Sequence, residues 1–187
     1  MHACIPAGLS HGCCGDIGAI RVGRRELLLG MSAALSLPRL ALAASGDYEA
    51  MIVGCIDPRM QAPVRNYAVK KGLEGRYSQF IFAGAAIGAV APKFDDWHKT
   101  FWDNLAITIQ LHNIKSLIAI DHRDCGAARV AYGDDCCTSR DKEDATHKAA
   151  LAEFRKQVEA RKADLKAPNL KVETYLMALD GTYIPLG

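Results

Sequence analysis

Two short apolar runs, each stopping at residue types that bind metals, constrain this chain more than any other feature. The first, Met51-Ile52-Val53, passes through Gly54 into Cys55-Ile56-Asp57-Pro58-Arg59. The second, Ser116-Leu117-Ile118-Ala119-Ile120, ends in Asp121-His122-Arg123-Asp124-Cys125-Gly126. Runs of this length bounded by turn residues read as strands buried in a sheet. Further strands are expected at 79–83 and 172–179, the last closed by a turn at Asp180-Gly181. Between them the spacing is helical. Trp97, Phe101, Leu105, Thr108 and His112 mark one amphipathic helix, and Leu151, Phe154, Val158 and Leu165 another, ended by Pro168. Shorter helices are expected at 63–71 and 125–132. Strands alternating with helices predict an α/β fold, with a mostly parallel central sheet flanked by helices on both faces. The small-residue stretch Gly84-Ala85-Ala86-Ile87-Gly88-Ala89 does not fit a phosphate-binding fingerprint and is read as close backbone packing.

The formal charge of +2 comes from the N-terminal part of the chain. Four of the 23 Lys and Arg but only two of the 21 Asp and Glu precede Ala44, so the remainder is balanced. A neutral body gives no reason to expect a nucleic-acid partner. Arg24-Arg25 is followed by an apolar run beginning Leu27-Leu28-Leu29 and then by the small-x-small pattern Ala41-Leu42-Ala43. This reads as a twin-arginine-like signal peptide over 1–43, with an ordinary secretory signal or an uncleaved helix as the alternative. The expected location is periplasmic, and the expected mature domain is 44–187. Cleavage near Ala43 removes Cys4, Cys13 and Cys14 of the seven cysteines. Adjacent Cys136 and Cys137 are expected as free thiols or as a bridge to another subunit, since a bond between neighbours is strained.

In an open α/β sheet, ligands bind beyond the carboxyl ends of the strands. Cys55, His122 and Cys125 would meet there. Two thiolates and an imidazole suit Zn2+ in a tetrahedral site with one position left open, the arrangement of catalytic rather than structural zinc. Asp57 projects from the same turn as Cys55, placed to accept a hydrogen bond from a zinc-bound water or to take the open position itself. Arg59 is placed to keep that carboxylate ionised and oriented. Each motif is weak alone. Their combination at two strand ends makes a metal site.

Cys55-x-Asp57-x-Arg59 followed by His122-x-x-Cys125-Gly126-Ala127 resembles the signature of β-class carbonic anhydrases, over about Ala50 to Tyr183. The resemblance implies a β-carbonic anhydrase-like zinc domain, with Cys55, His122 and Cys125 as metal ligands and Asp57 and Arg59 as the catalytic dyad. The implied reaction is reversible hydration of carbon dioxide to bicarbonate and a proton, through zinc hydroxide. A homodimer or higher homo-oligomer is the implied assembly. Where that family usually carries an Arg-Asn-Ala-Gly-Asn-like segment, this chain reads Ile81-Phe82-Ala83-Gly84-Ala85. The apolar replacement suits the alternative activity, hydrolysis of carbonyl sulfide or carbon disulfide. A non-catalytic zinc-binding protein, with Asp57 locked on the metal, is the reading from a different class. A thiol redox protein is disfavoured by the lack of Cys-x-x-Cys.

Overall fold

In the computed structural model, residues 46–186 are described; the expected signal segment with Arg24-Arg25 and its three cysteines lies outside them. The architecture is the expected α/β sheet. Four strands, β1 (Ala50–Cys55), β2 (Tyr77–Phe82), β3 (Ser116–His122) and β4 (Lys171–Met177), run parallel in the order β2-β1-β3-β4. A fifth, β5 (Tyr183–Pro185), joins β4 antiparallel at the edge.

The central strands read as continuous apolar runs because both their faces are covered. Side chains alternate between two cores, as the period of two requires. Met51 and Val53 of β1, with Leu117 and Ala119 of β3, face a large cluster that includes Phe101, Leu105, Leu151, Phe154 and Val158. Ile52, Ile118 and Ile120 face a smaller one with Met60, Val64, Tyr67 and Tyr175.

The helices follow from their buried stripes. Helix α1 (Gln61–Lys70) buries Val64, Tyr67 and Ala68 on the smaller core. A short buried helix, α2 (Ala86–Val90), forms within the small-residue stretch, where no helix was expected. A Cβ at Gly88 would meet the Ala83 carbonyl oxygen and the Phe82 ring, so the close packing inferred from sequence is real. Helix α3 (Asp95–His112) begins with Asp95 and Asp96, which favour a helix N-terminus, and stops at Asn113 in the left-handed region. It buries Phe101, Leu105 and Thr108, whereas Trp97 stays partly exposed and stacks on Phe94 at 4.4 Å between ring centroids. Helix α4 (Gly126–Tyr132) follows the second motif. Helix α5 (Arg140–Arg161) is capped by the Ser139 hydroxyl, which accepts from the Lys142 N–H at 3.3 Å.

Three expectations about the elements are corrected. Leu165 lies beyond α5, which ends four residues earlier, although it still packs against the larger core. The strand expected to reach 179 ends at Met177, because the chain reverses where Ala178 N–H donates to Thr182 O at 2.7 Å. Cys136 and Cys137 are joined to each other, since both side chains turn inward onto the larger core from the 3-10 turn Asp134–Cys137.

Candidate metal centre

Cys55 is the last residue of β1 and His122 the last of β3, and these strands are neighbours with Gly54 opposite Ile120. The two side chains therefore emerge side by side at the carboxyl edge of the sheet. Asp124, with φ of 55°, turns the chain between His122 and Cys125, which stands immediately before α4. Asp adopts the left-handed region more readily than most residues. The result is one cluster. A ligand atom from each of Cys55, His122 and Cys125 lies within 4.8 Å of the other two. Zn–S bonds of about 2.3 Å and Zn–N bonds of about 2.0 Å separate tetrahedral ligands by roughly 3.5 Å, a short contraction from this arrangement.

The imidazole is prepared for a metal. His122 Nδ1 lies 2.8 Å from the Arg123 carbonyl oxygen, which can only accept, so Nδ1 carries the proton. Nε2 is then a bare lone pair, buried and without a hydrogen-bond partner. Among buried polar atoms an orphan of this kind calls for an explanation, and a cation is the natural one. Burial works against the imidazolium, but the adjacent Cys55 thiolate outweighs it and His122 is shifted upward.

The two thiols divide unequally. Contact with the Cys125 thiol, then with His122 and the Gly84 N–H, brings Cys55 down to about 4. Cys125, beside that thiolate and buried, is pushed up. The Gly84 N–H donates to Cys55 Sγ at 3.3 Å. Cys55 and Cys125 are the free cysteines among the described residues. The donor set and its geometry fit a zinc ion.

Asp57 and Arg59 lie beside the cluster. Asp57 caps the 3-10 turn Pro58–Met60, and its Oδ1 accepts from the Arg59 N–H at 2.9 Å. Arg59 Nε and Nη2 return to the same carboxylate at 3.0 and 2.7 Å. These bonds hold the Asp57 carboxyl down at about 2. Its Oδ2 is 4.0 Å from His122 Nε2, so the ionised carboxylate borders the site.

Three contacts had no signal in the local sequence. Arg59 also binds Asp124, and Arg123 pairs with Glu143 and Asp144 of α5 at 2.9 and 2.6 Å. The third is a fully buried pair, Asp121 Oδ2 with His147 Nδ1 at 2.9 Å. His98 and His112 are engaged elsewhere, with Ala91 O at 3.1 Å and Ser78 Oγ at 2.7 Å.

No protein-family model matches the chain. An uncharacterized protein of Rickettsia conorii is 32% identical over 140 residues, covering 75% of this chain and 73% of that protein. One of Rickettsia bellii is also 32% identical over 140 residues, covering 75% and 82%. Solved structures with a similar fold are β-carbonic anhydrases. A single-residue mutant of CafD from Aspergillus fumigatus has a TM-score of 0.54 at 13% identity, covering 81% of this chain and 94% of that one. The Coccomyxa enzyme in complex with acetazolamide has a TM-score of 0.54 at 16% identity, covering 87% and 82%. One of the tetrameric enzymes of Sordaria macrospora has a TM-score of 0.50 at 14% identity, covering 87% and 93%. The chain belongs to the family of these Rickettsia proteins, and it is built on the β-carbonic anhydrase fold.

Proposed function

We propose that this protein is a zinc-dependent carbonic anhydrase, catalysing reversible hydration of carbon dioxide to bicarbonate and a proton. The observation that carries the reading is the orphaned Nε2 of His122, grouped with the Cys55 and Cys125 sulfurs beside the Asp57–Arg59 pair. Cys55, His122 and Cys125 would hold the metal. When bound, zinc supplies Lewis-acid activation of water near neutral pH.

The chain's own residues supply the rest. Asp57, held at about 2 by Arg59, is ionised throughout the working range and can accept a hydrogen bond at its Oδ2 but cannot donate one. Arg59 fixes the orientation of that carboxylate with a fork of donors, so an entering water meets a preset acceptor. Carbon dioxide has no charge and needs an apolar approach. Cys55 itself lines a recess of about 470 Å³ with Ile56, Met60, Val64 and Ile81, and Ile56 and Ile81 also border an apolar recess of about 360 Å³ with Phe80, Phe82 and Trp97.

That apolar wall favours a second reading, hydrolysis of carbonyl sulfide or carbon disulfide, whose linear substrates are less polar still. The family resemblance also supports assembly into homo-oligomers, as do the tetrameric structures sharing the fold. Export to the periplasm through a signal over 1–43 completes the proposal; N-terminal sequencing of protein recovered from the periplasm tests it.

The deciding experiment is stopped-flow hydration of carbon dioxide by zinc-quantified protein, beside an Asp57→Asn variant and with carbonyl sulfide as a second substrate. Turnover near neutral pH that falls in the variant is the expected result. No carbon dioxide turnover at full zinc occupancy would overturn the reading, and turnover of carbonyl sulfide alone would replace it with the second.

A further inference from the structure

The buried Asp121–His147 pair has no part in the reading above. Asp121 follows Leu117 and Ala119 on the face of β3 that packs against α2 and α5, and His147 meets it from α5. Both residues have 1% exposure or less. Two buried ionisable groups are an expensive way to join a strand to a helix, because apolar residues of similar volume commonly do it at equal or lower cost. What the pair has that apolar residues lack is a directed acceptor. Asp121 Oδ1 accepts from the Ala86 N–H, the first of α2, at 2.9 Å, while Oδ2 takes His147 Nδ1.

The two residues before Ala86 are unusual. Gly84 has φ of 83° and Ala85 has φ of 49°. The left-handed region is costly for Ala, and such conformations persist where surrounding contacts over-determine them. Ala86, pinned to Asp121, is the downstream anchor of this turn. At its other end the Gly84 N–H points at the Cys55 sulfur. A continuous path of hydrogen bonds and two peptide units thus runs from His147 through Asp121, Ala86 and Gly84 to Cys55.

We propose that Asp121 and His147 are positioning residues for the metal centre, holding the 84–86 turn so that the Gly84 N–H stays on the Cys55 sulfur. The inference rests on Cys55, His122 and Cys125 being metal ligands. An N–H donated to a coordinating sulfur stabilises its thiolate form and fixes its direction, as outer contacts of metal ligands do generally. His147 Nδ1 and Asp121 Oδ2 share a hydrogen bond at 2.9 Å, and Asp121 carries the constraint across the sheet edge to the turn. Removing the imidazole leaves the carboxylate short of one partner and free to release Ala86.

The test is Zn2+ affinity by competition with a chromophoric chelator, together with amide hydrogen exchange of the metal-free protein. His147→Ala is expected to weaken zinc binding by about 10–100-fold, the range for lost outer contacts. Exchange at Gly84 and Ala86 should quicken at least about tenfold, with the amides of Leu151 and Phe154 in the same helix as residue 147 unchanged. His147→Asn, whose side-chain amide can take the place of Nδ1 toward Asp121, should restore both; His147→Gln, with its amide displaced, should not. That Asn/Gln pair carries the comparison if His147→Ala does not fold. Affinity within about twofold of the unaltered protein in folded His147→Ala, unchanged exchange at Gly84, or equal behaviour of Asn and Gln would overturn the proposal while leaving the metal site intact. Failure of the unaltered protein to bind zinc would overturn both.

Discussion

Arg59 reaches across 65 positions of sequence to Asp124, with Nη1 2.8 Å from Oδ2 and Nη2 3.1 Å from the main-chain oxygen. The same guanidinium grips Asp57. It therefore ties the turn after Cys55 to the loop between His122, at the end of β3, and Cys125, using both edges of a planar fork.

Arg59→Lys is expected to keep the charge and lose the fork, since an ammonium cannot serve both carboxylates in this geometry. Arg59 is 45% exposed, so its ion pairs, screened by solvent, add little stability. The outcome should be asymmetric: a loss of roughly 10–100-fold in kcat/KM for carbon dioxide, with a thermal midpoint within a few degrees of the unaltered protein. Stopped-flow rates and calorimetry on one preparation check it. Equal loss of stability and activity would mean that Arg59 serves the fold instead.

Metal removal should be felt as stability. A ligand that binds only the folded chain, present at a thousand times its dissociation constant, adds about 4 kcal/mol. Chelation is therefore expected to lower the thermal midpoint, and added Zn2+ to restore it. Cys55→Ser should abolish the restoration while changing the metal-free midpoint little, because Cys55 is half-buried at a strand end. Affinity should also fall with falling pH, since thiols must release protons to bind. Isothermal titration in buffers of different ionisation enthalpy measures that release.

The features legible in the sequence are those whose cause is local. β1 and β3 are runs of buried residues, and the ligand residues lie within four positions of each strand end. α3 and α5 showed through their stripes. What escaped was either too short or too distant. α2 has five residues and β5 three, fewer than a period needs to become visible. β5 contains Pro185, which fits only at an edge where no N–H is required. Asp121 and His147 stand 26 positions apart, so no local pattern joins them. Asp124 sat between two proposed ligands, but nothing local tied it to Arg59.

Acid sensitivity should concentrate where the strands begin. The Glu49 carboxylate binds Lys115 Nζ at 2.8 Å and pairs with Arg76, joining the N-terminal ends of β1, β2 and β3. The Lys115 hydrogen bond is the main cause that holds Glu49 below the ordinary carboxylate value. A carboxylate depressed in the folded state stabilises fully above its unfolded value, about 4.3, and the contribution is lost as pH falls through the folded one. Urea unfolding of Glu49→Gln should therefore show lower stability than the unaltered protein at pH 7 and a gap that closes as the pH falls below that unfolded value and through the lower folded one. A gap independent of pH would assign the effect to packing.

The tightest test of the fold around the site is Gly88. Phe82 and Ala83 come off β2 and turn back over α2, so closely that a Cβ at position 88 would overlap the Ala83 carbonyl oxygen and lie 2.8 Å from the Phe82 ring. The oxygen belongs to backbone and cannot swing aside as a flexible side chain would. Gly88→Ala gains about 1 kcal/mol of helix propensity but must shift the strand end or the helix, and overpacking of this kind costs about 1–3 kcal/mol. Net destabilisation of up to about 2 kcal/mol by urea denaturation is expected. Because the displaced segment leads into Gly84, the same variant should weaken zinc binding, whereas Phe154→Ala, which empties the larger core further along α5, should cost about 3–5 kcal/mol and leave the affinity of the folded protein unchanged. Stability and affinity falling together in Gly88→Ala but separating in Phe154→Ala is the result that ties this packing to the metal centre.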